Sequence, residues 1–216
     1  MNEKLSDESL KQSASDWVAA GEQIRERIRD LTLQALQQRK FDYTGFQSVM
    51  KSMTEGISIG AEKRGADIKH ALAEAFTGMD QAFTKAAQAG SLAMKDLAAR
   101  GKEFSDRDLK QGLEQMKRME QDFLETARTV SNNTGGAVQN EWQALLTHAQ
   151  RTGTDTGALV SQTMREFSGR MASTMTDTTV ASVEAAREFG ERFAQAASGF
   201  LSGMSEALKP GDKPKR

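Results

Sequence analysis

Apolar residues return every eleven positions along most of this chain. The column that starts at Met50 and ends at Met204 contains fifteen positions, and thirteen of them are apolar. A chain that is 38% hydrophobic would give about six apolar residues in such a column. Eleven residues fill three turns of an α-helix, so the pattern predicts a long and nearly straight apolar face.

Two neighbouring columns widen this face into a stripe. One column starts at Phe46 and the other passes through Phe76, so the three columns lie at positions i, i+4 and i+8 of a helix. Gly90, Gly101 and Gly112 lie in the stripe at the same spacing of eleven. We consider two explanations for these glycines. They let another helix approach closely, or they make the helix easy to bend and melt.

The composition favours helix throughout. The two prolines, Pro210 and Pro214, both lie near the end of the sequence, and no β-branched run alternates with polar residues. We therefore predict an all-α fold. The expected architecture is an elongated antiparallel helical bundle or coiled coil of three to five helices with hendecad periodicity.

Turn and capping signals divide the chain. We predict a disordered segment over 1–12, a single helical domain over 13–208 and a disordered basic tail over 209–216. The first helix is expected to start at Ser13 (S-x-x-D) and end near residue 39, and a long helix to run from Thr44 to about Arg100. Later helices are expected over about 105–130, 138–150 and 158–208.

Breaks between these helices are predicted from turn residues. The sequence SNNTGG predicts a break near 131–137, and a long helix of this kind should also fold back near 100–104. TGTDTG at 152–157 and TMTDTT at 174–179 are weaker signals, and the sequence leaves open whether they interrupt the last helix. Gly56-x-x-x-Gly60 and Gly199-x-x-x-Gly203 have the spacing of close helix packing.

Several kinds of chemistry find no support in the sequence. GAEKRGAD at 60–67 lacks the lysine that a phosphate loop needs. His70 and His148 do not form the paired Glu-x-x-His motifs of a di-iron bundle, and there is no cysteine. We therefore predict no catalytic residues, no cofactor and no metal site. His70, flanked by Asp67 and Glu74, is interpreted as an exposed histidine in an ion pair.

Charge and hydropathy limit the partners and the location. The net charge of −1, from 29 basic and 30 acidic residues, argues against a nucleic-acid-binding protein. The sequence shows no signal peptide and no run of about 20 apolar residues that would span a membrane. A cytoplasmic location is therefore expected.

The large apolar side chains of the stripe have two interpretations. They form the core of a helical bundle, or they form a face that binds a hydrophobic surface, for which methionine and phenylalanine are well suited. The candidate surface-binding residues are Phe76, Met79, Phe83, Phe167, Met171, Phe189, Phe193, Phe200, Leu201 and Met204.

The repeats ALAEAFTGMDQAFTKAAQAG (71–90) and AAREFGERFAQAASGFLSGMSEAL (185–208) resemble those of exchangeable apolipoproteins. They are also similar to bacterial phasins, which coat polyhydroxyalkanoate granules. The resemblance implies a non-enzymatic protein that coats a storage-polymer granule or lipid surface by reversible opening of its helices. It also implies granule association in the cell.

Two other functions remain open. An oligomeric coiled-coil scaffold that binds a protein partner would use the same stripe as its core. Self-association of the helical bundle is expected. A desiccation-protective protein would also have eleven-residue repeats, but ten Phe and eleven Met make this chain too apolar for that class.

Overall fold

A computed structural model describes residues 5–39, 43–99, 106–172 and 183–208 of the chain, and its regular structure there is entirely helical. The fold is all-α, as predicted, with helices that pack against one another. The helices are α1 (Asp7–Ala20), α2 (Ile24–Gln38), α3 (Tyr43–Glu62), α4 (Ile68–Ala99), α5 (Asp106–Asn132), α6 (Gly136–Thr152), α7 (Asp155–Ala172) and α8 (Val183–Leu208).

The N-terminal segment is helical where disorder was expected. Helix α1 begins at Asp7, six residues before the predicted start at Ser13. The side chain of Ser6 caps it by accepting a 3.1 Å hydrogen bond from the Ser9 N–H. Leu10 is fully buried and anchors this first turn to the core. Among the described residues of this segment, Leu10 is buried and Leu5 is half-buried against the core, so two leucines anchor a stretch that is otherwise polar.

Glycine turns divide the chain into more helices than the three to five predicted. The expected helix over 13–39 ends at Gly21, which has φ 78° and donates its N–H to the Trp17 carbonyl. The expected helix from Thr44 to Arg100 is interrupted by a 3-10 turn at Gly65–Asp67, where Gly65 has φ 57°. Left-handed conformations of this kind stop a helix without a proline.

The later boundaries agree better with the sequence. The predicted break near 131–137 coincides with the junction at which α5 ends at Asn132 and α6 begins at Gly136. TGTDTG is a genuine break, with Gly153 at φ 85° between α6 and α7. The predicted fold-back at 100–104, the weak signal at 174–179 and the tail at 209–216 lie outside the described residues.

Helix α4 lies at the centre of the packing. It has 32 residues and contacts α2, α3, α5, α6, α7 and α8. At 1.5 Å per residue it is about 48 Å long. The eleven-residue column marks buried positions on six different helices, α3 to α8, counting only side chains that the structure describes. Its buried members are Met50, Ala61, Leu72, Phe83, Met94, Met116, Ala127, Val138, Ala149, Val160 and Phe193, and Met204 is half-buried.

Three helical glycines let the first two helices approach the next two at backbone distance. A Cβ added to Gly56 would lie 2.8 Å from Ala14 Cβ, and one added to Gly60 would lie 2.8 Å from Val18 Cβ. Each would lie closer still to a carbonyl oxygen of α1, and a Cβ on Gly78 would collide with a carbonyl oxygen of α2. We call Gly56, Gly60 and Gly78, with the backbone they touch, the glycine seam.

Candidate functional site

The structure places the candidate surface-binding residues whose side chains it describes on inward helix faces. Phe76, Met79 and Phe83 of α4 are buried, as are Phe193 and Leu201 of α8. The remaining candidates either are half-buried or have side chains outside the described part. Phe167, Phe200 and Met204 are half-buried, and Met171 and Phe189 lie in α7 and α8 with side chains that are not described.

An aromatic cluster surrounds the candidates on α4. The ring of Phe83 lies 5.0 Å from that of Phe46 and 4.8 Å from that of Phe123, measured between centroids. Phe76 stacks on Phe123 at 5.1 Å and meets the edge of Trp142 at 6.3 Å. Such pairs stabilise a core beyond their buried area. Phe46, Phe123 and Trp142 were not among the candidates, although the eleven-residue columns contain all three.

The indole of Trp142 also has a polar partner inside the core. Its Nε1–H donates a 3.0 Å hydrogen bond to Ser58 Oγ, and Ser58 in turn donates to the Thr54 carbonyl at 2.8 Å. Trp142, Ser58 and Thr54 are all buried. These two hydrogen bonds fix the orientation of the indole between α3 and α6. Trp142 therefore reports whether this part of the core is intact.

Helix α8 covers the core with one face. Phe193, Ala197 and Leu201 are buried at positions i, i+4 and i+8, and Phe200 and Met204 flank them as half-buried residues. We call these five residues the α8 layer. They join two apolar clusters, because Leu201 belongs to one and Phe193 and Ala197 belong to the other.

The two sides of α8 have opposite surroundings. On the inner side, the tip of the Phe193 ring and the thioether of Met116 lie next to Gly90, within 3.4–3.6 Å of where its Cβ would be. On the outer side, a Cβ added to Gly199 or Gly203 would have no neighbouring atom within 4 Å. The helix is therefore amphipathic, with its apolar side covered and its glycine side open.

A buried carboxylate holds the start of α7. Asp80 of α4 is 7% exposed and accepts hydrogen bonds from the Asp155 N–H at 2.9 Å and the Thr156 N–H at 3.2 Å. The Thr156 hydroxyl adds a third bond at 2.7 Å. Thr154 caps the next N–H, that of Gly157, at 2.9 Å. A side chain from another helix thus satisfies N–H groups that a helix start leaves free.

The electrostatics of Asp80 reflect two opposing effects. Burial raises the pKa of its carboxyl, while the hydrogen bonds from Thr156 and Asp155 act in the opposite direction, and the net change is upward. The helix N-terminus also favours the carboxylate form. Sequence reasoning missed Asp80 because an aspartate within an apolar stripe looks like an ordinary polar interruption. The weak signal was the Thr-rich turn that it caps, 75 residues away along the chain.

A polar groove runs between α3 and α5. Two adjoining cavities of about 380 and 530 Å³ share Glu55, Val130 and Asn133 in their walls. Lys11 closes one side by an ion pair with Glu55 at 3.1 Å. The lining mixes acidic, basic and neutral side chains, so the groove has no single charge that would select a ligand.

The carboxylates next to His70 pair elsewhere. Glu74 binds Arg25 of α2 at 2.6 Å, and Asp67 binds Arg64, three residues earlier, at 2.8 Å. Neither carboxylate forms the histidine ion pair that was expected. Within the described ranges, no group of three or more His, Asp or Glu residues is placed to hold a metal ion. No helix in the same ranges is long and apolar enough to cross a membrane.

Comparison with known proteins identifies the family. Residues 1–210 match the family of unknown function DUF6781. The chain belongs to this family. No curated protein and no solved structure matches it. The family match spans all eight helices described above, so the glycine seam, the Asp80 contact and the α8 layer all lie within the matched region.

Proposed function

We propose that this protein is a non-enzymatic structural protein whose amphipathic helices coat a hydrophobic surface, either a storage-polymer granule or lipid. The observation that supports this most directly is the position of the candidate residues. Every candidate with a described side chain lies on an inward, buried or half-buried face of an amphipathic helix. The same faces can bury themselves on an external apolar surface once the helices separate.

Opening is required because the described part of the closed molecule exposes few large apolar side chains. Among the described residues, the large hydrophobic side chains that are most exposed are Ile59 at 39% and Leu92 at 36%. Adsorption therefore exchanges burial inside the bundle for burial on the surface, at roughly 25 cal/mol per Å² in either case. The exchange is feasible because amphipathic helices gain most of their stability from burial and little from propensity alone.

The test is flotation of the purified protein with a triolein emulsion and with polyester nanoparticles, combined with circular dichroism. The wild type should float with its helicity retained. Replacing two half-buried residues of the α8 layer, Phe200→Ser with Met204→Ser, should weaken binding about tenfold or more, because less apolar area is buried on the surface.

The matched control changes the core outside the candidate set. Ile28→Ala in α2 removes buried area and destabilises the closed bundle by about 2–4 kcal/mol. It should leave binding unchanged or speed it up, because the closed state competes with adsorption. If the wild type stays at the bottom of the gradient, or if Phe200→Ser with Met204→Ser floats as well as the wild type, the proposal is wrong.

The second candidate function is an oligomeric scaffold that binds a protein partner. The largely polar exterior of the described helices favours it, since a self-contained core has no need to open. This function predicts an oligomer whose mass, measured by light scattering, rises with protein concentration. It also predicts that the protein does not bind lipid. The flotation experiment therefore separates the two functions.

A further inference from the structure

Gly199 and Gly203 of α8 differ from the three glycines of the glycine seam. Neighbouring backbone excludes any side chain at the three positions of the glycine seam. Gly199 and Gly203 have open space around them, so nothing in the fold requires a glycine at either position. Their effect is on α8 itself, because a glycine inside a helix favours the unfolded segment over the helix.

The inner side of α8 is a continuous apolar stripe, and the helix as a whole is amphipathic. Phe193, Ala197 and Leu201 face the core over two turns, with exposed residues such as Gln195 and Ser202 on the other side. A helix with this pattern can lie on a surface without help from the rest of the bundle. When α8 leaves, it also uncovers both apolar clusters that it joins.

The other helices are held by contacts that tolerate little movement. The glycine seam joins α1 and α2 to α3 and α4 at backbone distance. The start of α7 is fixed by Asp80 on α4 and also by Glu120 on α5, whose carboxylate accepts a 3.3 Å hydrogen bond from Thr154. Opening the start of α7 would leave polar groups without their hydrogen-bond partners. Separating α1 and α2 from α3 and α4 would break the close backbone contacts of the glycine seam.

Resting on the proposed function, we infer that α8 alone opens to meet the surface, and that Gly199 and Gly203 set the rate of its release. Helix α8 leaves the bundle as an unfolded segment and becomes helical again on the surface. Helix α8 is helical both when it is packed on the bundle and when it is adsorbed on the surface. The two glycines therefore stabilise only the unfolded, released segment through which α8 passes from one state to the other. They therefore affect how fast the protein adsorbs and not how much adsorbs at equilibrium.

The first experiment compares adsorption rates to a triolein emulsion. Gly199→Ala with Gly203→Ala should slow adsorption about 20-fold, from the helix propensity of the two residues, with the final bound amount unchanged. The matched control raises helix propensity on exposed positions of α6, by Asn140→Ala with Thr147→Ala. That variant should adsorb at the wild-type rate, because α6 stays folded throughout.

The second experiment uses Trp142 as a reporter of the core. Trp17→Phe leaves Trp142 as the only tryptophan, and it is buried between α3, α4 and α6 by its contacts with Ser58 and Phe76. On an emulsion that contains brominated triglyceride, its fluorescence should stay unquenched, because α3, α4 and α6 stay packed around it after α8 has left. Quenching would place Trp142 on the surface and overturn the inference.

The outcomes separate the inference from the function on which it rests. Adsorption in which Trp142 is quenched, or in which the α6 control slows as much as the α8 variant, leaves the proposed function in place and overturns the role of α8. No adsorption of the wild type overturns the proposed function and the inference with it. A slow α8 variant, an unaffected α6 control and a protected Trp142 together support the inference.

Discussion

Two pairs of helical glycines with the same four-residue spacing lie in opposite surroundings, one pair in the glycine seam and the other on the outer side of α8. Gly56 and Gly60 face the backbone of α1, where even a methyl group would collide. Gly199 and Gly203 have the same four-residue separation and face open space. The spacing alone therefore does not reveal whether a glycine pair is a packing site or a weak point in a helix. The difference becomes visible only when the opposing element is known.

The largest effect is expected at the glycine seam. Gly60→Ala should lower the free energy of unfolding by about 3 kcal/mol, because the new methyl group collides with Val18 Cβ and with the backbone of α1. Backbone atoms cannot rotate away as a side chain could. The measurement is urea denaturation followed by circular dichroism.

The matched control for the seam is Gly90→Ala in α4. Its methyl group would meet the Phe193 ring at 3.4 Å and Met116 at 3.6 Å, which are ordinary contact distances to movable side chains. This variant should be as stable as the wild type or more so. Equal losses for Gly60→Ala and Gly90→Ala would show that backbone contact does not distinguish the seam.

The next largest effect concerns the attachment of α7. Asp80→Ala should cost about 2–3 kcal/mol, because it leaves the N–H groups of Asp155 and Thr156 buried without an acceptor. Asp80→Asn keeps one acceptor oxygen for the Thr156 donors and removes a buried charge, but it turns an NH2 donor toward the Asp155 N–H. Its cost should therefore be smaller than that of the Ala variant, about 1–2 kcal/mol. Thermal unfolding of both variants checks this order, and an Asn variant as unstable as the Ala variant would contradict it.

A smaller effect of opposite sign is expected on the α8 side. Gly199→Ala should stabilise α8 by about 1 kcal/mol, because alanine favours helix and no neighbouring atom lies within 4 Å of the new methyl group. Hydrogen exchange is the suitable measurement, since it reports local opening of α8 separately from global unfolding. Slower exchange throughout α8, with exchange in α4 unchanged, is the expected result. Unchanged exchange in α8 would contradict it.

The sequence predicted the buried surface better than the helix boundaries. Burial follows the eleven-residue columns because amphipathic helices must turn their apolar side inward whatever they pack against. The boundaries at Gly21 and Gly65 depend on left-handed turns, and glycines at 56, 60 and 78 look the same in the sequence. A glycine that ends a helix and one that admits a neighbour differ only in tertiary context.

The candidate site divides in the same way. Phe76, Met79 and Phe83 were identified from their spacing, and their burial follows from that spacing. The role of Asp80 depends on α7 meeting α4 at one turn, and contacts between residues 75 positions apart have no local signal. The open space around Gly199 could not be predicted either, because it depends on how the other helices are arranged around α8.

The smallest effect is a pH dependence that acts through Asp80. Burial raises its pKa in the folded protein, so the folded state binds the proton more tightly than the unfolded state does. The penalty for the buried charge is complete above the raised pKa and disappears as the pH falls toward the ordinary value of 3.8. The wild type should therefore gain stability relative to Asp80→Asn across that window.

Other carboxylates change stability in the opposite direction, which is why the comparison with Asp80→Asn is needed. Hydrogen bonds from Ser48 to Asp7 and from Lys95 to Glu166 lower the pKa of each carboxyl, so their contributions are lost in acid. Both groups are unchanged in the Asn variant, and their effects cancel in the difference. Urea unfolding of the two proteins between pH 7 and pH 4 measures it. If the difference in the free energy of unfolding stays constant, or moves against the wild type in acid, burial does not control the pKa of Asp80.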